Sequence, residues 1–174
     1  MRRASVLIAV LMFIVAAGLL RTTEAASGDV ILLHGWNGKA SDWANAKSAY
    51  EAQGYTVHAL SLPRSGGQVG DTAINADYVQ QYMTANGITA ARLDSHSLGG
   101  WLALTIAFSR DDPRIQSVVM RDTGYGDGFG CWLVPDLCDG SAITTAVENT
   151  ATVGDPIPVL HLSSESTALP GVDC

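Results

Sequence analysis

Short apolar runs alternate along this chain with segments of helical spacing, and that alternation restricts its folding more than any other feature. "DVILLHG" is an apolar, β-branched stretch ended by glycine, the pattern of a strand covered on both faces. Residues 41–53 then open on a capping residue, space Trp43, Ala46 and Tyr50 along one stripe, and stop at Gly54, which predicts a helix. "YTVHALSLP" reads as the next strand, "DTAINADYVQQYMTANG" as a helix capped by Asp71, and "AARLDSH" as a third strand that runs into Ser97. Residues 98–109 predict another helix, "IQSVVMRD" a fourth strand and "PIPVLHLSS" a fifth. This order implies an α/β fold with a mainly parallel sheet and helices on both faces. Sites in such sheets gather at the carboxyl ends of the strands. There is no internal repeat, low-complexity linker or second-domain boundary, so residues 26–174 read as one domain.

The first 25 residues differ in character. Arg2 and Arg3 precede an uncharged run from Ala4 to Leu20, followed by "RTTEAAS", whose small residues suit signal-peptidase cleavage after Ala25 or Ala26. The expectation is a secretory signal peptide over residues 1–25, an extracellular or periplasmic protein, and no stable membrane anchor. Cleavage removes three positive charges and one negative, moving the formal charge from −7 to −9. Such a surface repels phosphate backbones, so nucleic acid is not an expected partner. Export also gives the cysteines a meaning: Cys131 and Cys138, at the two ends of "CWLVPDLC", can close a small disulfide loop in oxidising conditions. Cys174, the last residue, has no partner in that scheme.

The chemistry concentrates in "LDSHSLGGW", where a strand meets a helix at Ser97. A serine hydroxyl is a poor nucleophile unless a base reaches its proton and donors receive the oxyanion. A sharp strand-to-helix turn presents it for both, provided small residues flank the turn at two positions before and two after. Gly99 meets that need, Gly100 adds clearance, and Ser95 replaces one small residue by another. The bend "HGWNG" from His34 to Gly38 closes the first strand, where it can aim the Trp36 N–H at the site opposite the Leu98 N–H. Those two amides are the expected oxyanion hole.

On these residues, "ILLHGWNGKASDWANAKSAYEAQGY" followed by "LDSHSLGGW", the chain resembles the small secreted bacterial lipases and esterases of the α/β-hydrolase superfamily over nearly all of residues 26–174. The resemblance implies serine-dependent hydrolysis of carboxylic esters through an acyl-enzyme on Ser97, with Trp36 and Leu98 as oxyanion donors and no metal or cofactor. The implied partner is a small-molecule ester or a lipid, with contact at lipid interfaces. Acyl thioester hydrolysis and a non-catalytic binding protein on the same fold are the alternatives. Ser95 departs from the glycine or alanine usual at its position.

The rest of the triad is less legible. The superfamily orders its residues serine, acid, histidine, and only His161 follows Ser97 among the histidines. It lies inside "PVLHLSS", below the strand's carboxyl end and packed against a helix by expectation, which makes it a poor base. His34 and His96 flank the bend and the turn and are expected to make structural hydrogen bonds, and His58 sits within a strand. In the family the acid usually follows the fifth strand. Here that turn reads "SSESTALP", so Glu165 is the candidate acid, Asp122 at the end of "VVMRD" its rival, and Asp173 a weaker third. The fold also calls for one more strand and helix, with the histidine between them. The expectation is therefore a chain incomplete at its carboxyl end, lacking that final strand and helix, with no catalytic histidine of its own and little or no activity; degeneration into a non-catalytic protein is the rival cause. The stretch from Gly124 to Gly140, with Tyr125, Phe129 and Trp132, reads equally as an apolar rim or lid and as a stapled loop packing on its own sheet.

Overall fold

The computed structural model describes residues 27–64, 67–123 and 157–163. Among these residues five strands form one sheet: β1 (Asp29–Leu33), β2 (Thr56–Leu60), β3 (Ala91–His96), β4 (Ile115–Arg121) and β5 (Val159–Leu162), in the order β2-β1-β3-β4-β5. Every neighbouring pair is parallel. Three helices are described: α1 (Ala44–Glu51), α2 (Asp71–Ala85) and α3 (Leu98–Leu104). A 3-10 turn over Ala40–Trp43 leads into α1, so the helix expected from residue 41 begins as a tighter turn. A π turn over Thr105–Ser109 continues α3, where the Thr105 hydroxyl donates back to the Trp101 carbonyl at 2.8 Å.

The period of two in β1 sorts its side chains onto two faces. Ile31 and Leu33 enter a core with Val79 and Met83 of α2 and Leu102 and Ile106 of the helix after Ser97. Val30 and Leu32 enter the opposite core with Trp43 and Val57, against which Ala46 and Tyr50 of α1 pack. Helices thus cover both faces, and β1 is an apolar run because it has no solvent side. Asp71 is the first residue of α2 rather than its cap: Gly70 holds the cap position at φ 84°, and the Asp71 carboxylate accepts the Gln68 N–H at 3.1 Å. A left-handed backbone there favours glycine, which explains why the acid is displaced by one residue.

The register sets the site. Leu33 pairs with Ser95 and His96 with Arg121, so the last residues of β1, β3 and β4 lie side by side. The bend after β1 and the turn after β3 therefore meet at the same edge of the sheet.

Candidate active site

Ser97 lies between β3 and α3 with φ 51° and ψ −123°. A serine in the left-handed half of the map is strained, and such strain persists only where the surroundings impose it. Two glycines make room for the imposition. A Cβ on Gly99 would lie 2.3 Å from the Leu33 carbonyl oxygen, and one on Gly100 would lie 2.1 Å from Thr123 Oγ1. The first of α3's turns thus packs directly on the end of β1 and on the residue two past β4. The Ser97 N–H donates to the Arg121 carbonyl at 2.8 Å, which fixes the turn to β4 as well.

The bend after β1 packs with the same closeness. Gly38 N–H donates to the Gly35 carbonyl at 3.1 Å, and Asn37 takes φ 52°. A Cβ on Gly38 would sit 2.8 Å from the His34 Cβ, and one on Gly35 3.0 Å from the Ser97 Cβ and 3.2 Å from His96 Nδ1. Gly38 of "HGWNG" is therefore a steric requirement toward His34, and Gly35 leaves the bend tight against the serine. His34 is buried, and its Nε2 accepts the Leu62 N–H at 3.0 Å. That leaves Nδ1 to donate to the Gly35 carbonyl at 2.8 Å, so the ring braces the bend from beneath.

A cleft of about 540 Å³ opens here, lined by Gly35, Trp36, Trp43, His96, Ser97 and Arg121 among others. Trp36 is 48% exposed at its edge. The expected oxyanion donors are accordingly neighbours of the serine: Trp36 shares the cleft with Ser97, and Leu98 is the first residue of α3. Beneath the cleft Asp94, 1% exposed, accepts Arg121 Nε at 2.8 Å and Nη2 at 2.7 Å, and also the Tyr50 hydroxyl at 2.7 Å. Burial, and next the hydrogen bond to Asp94, push the Tyr50 phenol up to about 12. The Asp94 carboxylate in turn raises the Arg121 guanidinium above its ordinary value. This trio was not foreseen in the sequence; the signal was an aspartate in the middle of an otherwise apolar strand, which must be paired if buried.

Ser95 makes a contact that its size alone does not suggest. It is fully buried and donates its hydroxyl to the Val119 carbonyl at 2.7 Å, so it is also a cross-strand tie. His161 is exposed on β5, and its Nε2–H donates to the Thr123 carbonyl at 3.0 Å. His58 bonds Asp29 and Tyr82 at 2.8 and 3.0 Å, a link between β1, β2 and α2. Asp122 takes φ 49° just past β4, and its N–H donates to the Leu162 carbonyl at 2.8 Å. Glu165, Asp173, Cys131, Cys138, Cys174 and the stretch 124–140 lie outside the described residues. Among the described residues no group of three or more His, Cys, Asp or Glu could hold a metal ion, and no helix is long and apolar enough to cross a membrane.

No family profile matches the chain. It is 32% identical over 103 residues to the dihydrolipoyllysine-residue acetyltransferase component of the acetoin cleaving system of Cupriavidus necator, an alignment covering 56% of this chain and 27% of that protein. Among solved structures it is similar to a membrane phospholipase A described as a bacterial virulence factor, with TM-score 0.49, 21% identity, and coverage of 74% of this chain and 54% of that one. The epoxide hydrolase CorEH gives 0.49 and 25%, covering 63% and 42%. An extracellular α/β-hydrolase from a Paenibacillus species gives 0.48 and 22%, covering 58% and 42%. The chain thus spans about a quarter of the curated relative and between 42% and 54% of these solved chains. The all-parallel order β2-β1-β3-β4-β5, the helices on both faces and the strained serine between β3 and a glycine-cleared helix together make this an α/β-hydrolase-like fold.

Proposed function

We propose that this chain is a secreted serine hydrolase of carboxylic esters, with Ser97 as nucleophile and the N–H groups of Trp36 and Leu98 as oxyanion donors. The observation that carries the reading is the backbone of Ser97, at φ 51° and ψ −123° on the floor of the cleft. A strained turn is retained where it presents a side chain that packing alone would not need. In the proposed reaction Ser97 Oγ attacks the ester carbonyl, the developing oxyanion enters the two amides, and the alcohol leaves to give an acyl-enzyme that water hydrolyses. The base is the open position. Among the described residues the Ser97 hydroxyl makes no hydrogen bond to any histidine, His34 is committed on both nitrogens, and His161 is directed at a backbone carbonyl. Glu165 and Asp122 remain the proposed acids, and residues 1–25 the proposed export signal.

The test is covalent labelling by a fluorophosphonate, followed by peptide mapping, beside turnover of p-nitrophenyl esters. Modification of Ser97 that is lost in Ser97→Ala supports the reading. Nucleophile and oxyanion hole without a positioned base leave about 10³ to 10⁴-fold catalysis over water, so slow labelling and weak turnover are expected. Absence of any labelling at Ser97 over days at saturating probe overturns the proposal.

A further inference from the structure

The residue that holds the nucleophile's backbone in its strained shape lies outside the turn itself. Thr123, two residues past β4, is buried, and its hydroxyl donates to the Ser97 carbonyl at 3.2 Å. That carbonyl also accepts the Gly100 N–H at 2.9 Å, so it is held from two sides. Thr123 can come so close only because position 100 carries no side chain: a Cβ there would lie 2.1 Å from Oγ1, 2.7 Å from Cγ2 and 2.9 Å from Cβ of the threonine. The two glycines of "SLGG" thus have separate purposes. Gly99 lets the helix approach the bend after β1, and Gly100 lets Thr123 reach the serine. Thr123 is itself tethered from the far side, because His161 Nε2–H donates to its carbonyl at 3.0 Å.

We infer that Thr123 is a positioning residue for Ser97, a hydroxyl clamp on the nucleophile's carbonyl that is anchored through His161 to β5. The inference rests on the reading of Ser97 as nucleophile. It assigns His161 a role as well: a tether two bonds removed from the serine, rather than its base. Losing the clamp leaves the Ser97 carbonyl held by the Gly100 N–H alone, so the peptide plane after Ser97 can tilt, and with it the Leu98 N–H proposed for the oxyanion. A displacement of that kind, about 1 Å, costs up to about a hundredfold in rate.

The test separates shape from hydrogen bonding. Thr123→Val keeps the volume and loses the hydroxyl, and Thr123→Ser keeps the hydroxyl and loses a methyl. Fluorophosphonate labelling of Ser97 is expected to slow at least about tenfold in Thr123→Val and to stay within about threefold in Thr123→Ser. The Ser97 carbonyl carbon resonance is expected to move upfield in the valine variant only. Equal labelling in wild type and Thr123→Val, an unmoved carbonyl resonance, or equal losses in both variants would overturn the clamp. Wild type that is not labelled at all would sink the nucleophile reading, and the carbonyl resonance would then decide the clamp by itself. Should Thr123→Val fail to fold, the wild-type chain still answers: a Thr123 hydroxyl proton in slow exchange with water, near the Gly100 amide, supports the contact, and a rapidly exchanging one removes it.

Discussion

Small side chains around Ser97 are each matched to one neighbour, and the consequences differ from residue to residue. A methyl added at Gly99 meets the carbonyls of Leu33 and His34, which are backbone and cannot swing aside. Gly99→Ala is therefore expected to cost about 1–3 kcal/mol by overpacking, measured by urea denaturation, and to slow labelling of Ser97 in the same sample. Ser95 is the opposite case, because its hydroxyl is used. Ser95→Ala is expected to cost about 1–2 kcal/mol for a buried hydrogen bond to Val119, and stability equal to wild type would show the bond contributes nothing. The need for smallness two residues after the serine was legible in "LDSHSLGGW". The partners were not, because Val119 and Thr123 come from β4 and the residues after it, and sequence spacing carries no record of which strand lies alongside.

Between elements, the clearest device is the carboxylate of Asp112, which ties the approach to β4 to helix α2. It accepts Arg114 Nε at 2.8 Å, Arg114 Nη2 at 2.6 Å and Gln80 Nε2 at 2.8 Å. The Arg114 guanidinium is the main reason its pKa lies at about 2 rather than 3.8. A carboxyl depressed by folding stabilises the native state above its unfolded value, and that contribution is lost as the pH falls from 3.8 toward 2. Urea denaturation across this window is expected to show a shallower loss for Asp112→Asn than for the parent chain, from a lower starting stability. Parallel slopes would mean the carboxylate is not perturbed. The strands themselves followed from apolar runs and the helices from spacing, within a few residues. What periodicity missed were the polar exceptions, Asp94 with Tyr50 and Arg121, and Gly70 as the cap of α2, because these depend on partners or dihedrals rather than on period.

Across the whole sheet, burial falls from the middle outward. Val30 to Leu33 of β1 are at most 1% exposed, whereas all four residues of β5 are exposed, with Leu160 at 53%. Native-state hydrogen exchange is expected to follow that gradient, slowest at the β1 and β3 amides and fastest at β5. Uniform protection across the five strands would contradict it. A strand that buries little apolar surface has little to hold it in place early in refolding. Since β5 delivers the His161 tether to Thr123, the chain is expected to regain the fluorescence of buried Trp43 and Trp101 before it regains the labelling proposed for Ser97. The lag between those two signals would be a clock for the docking of β5, and under the proposed function a nascent or partly unfolded chain would keep its serine chemically silent until that strand has joined its neighbour.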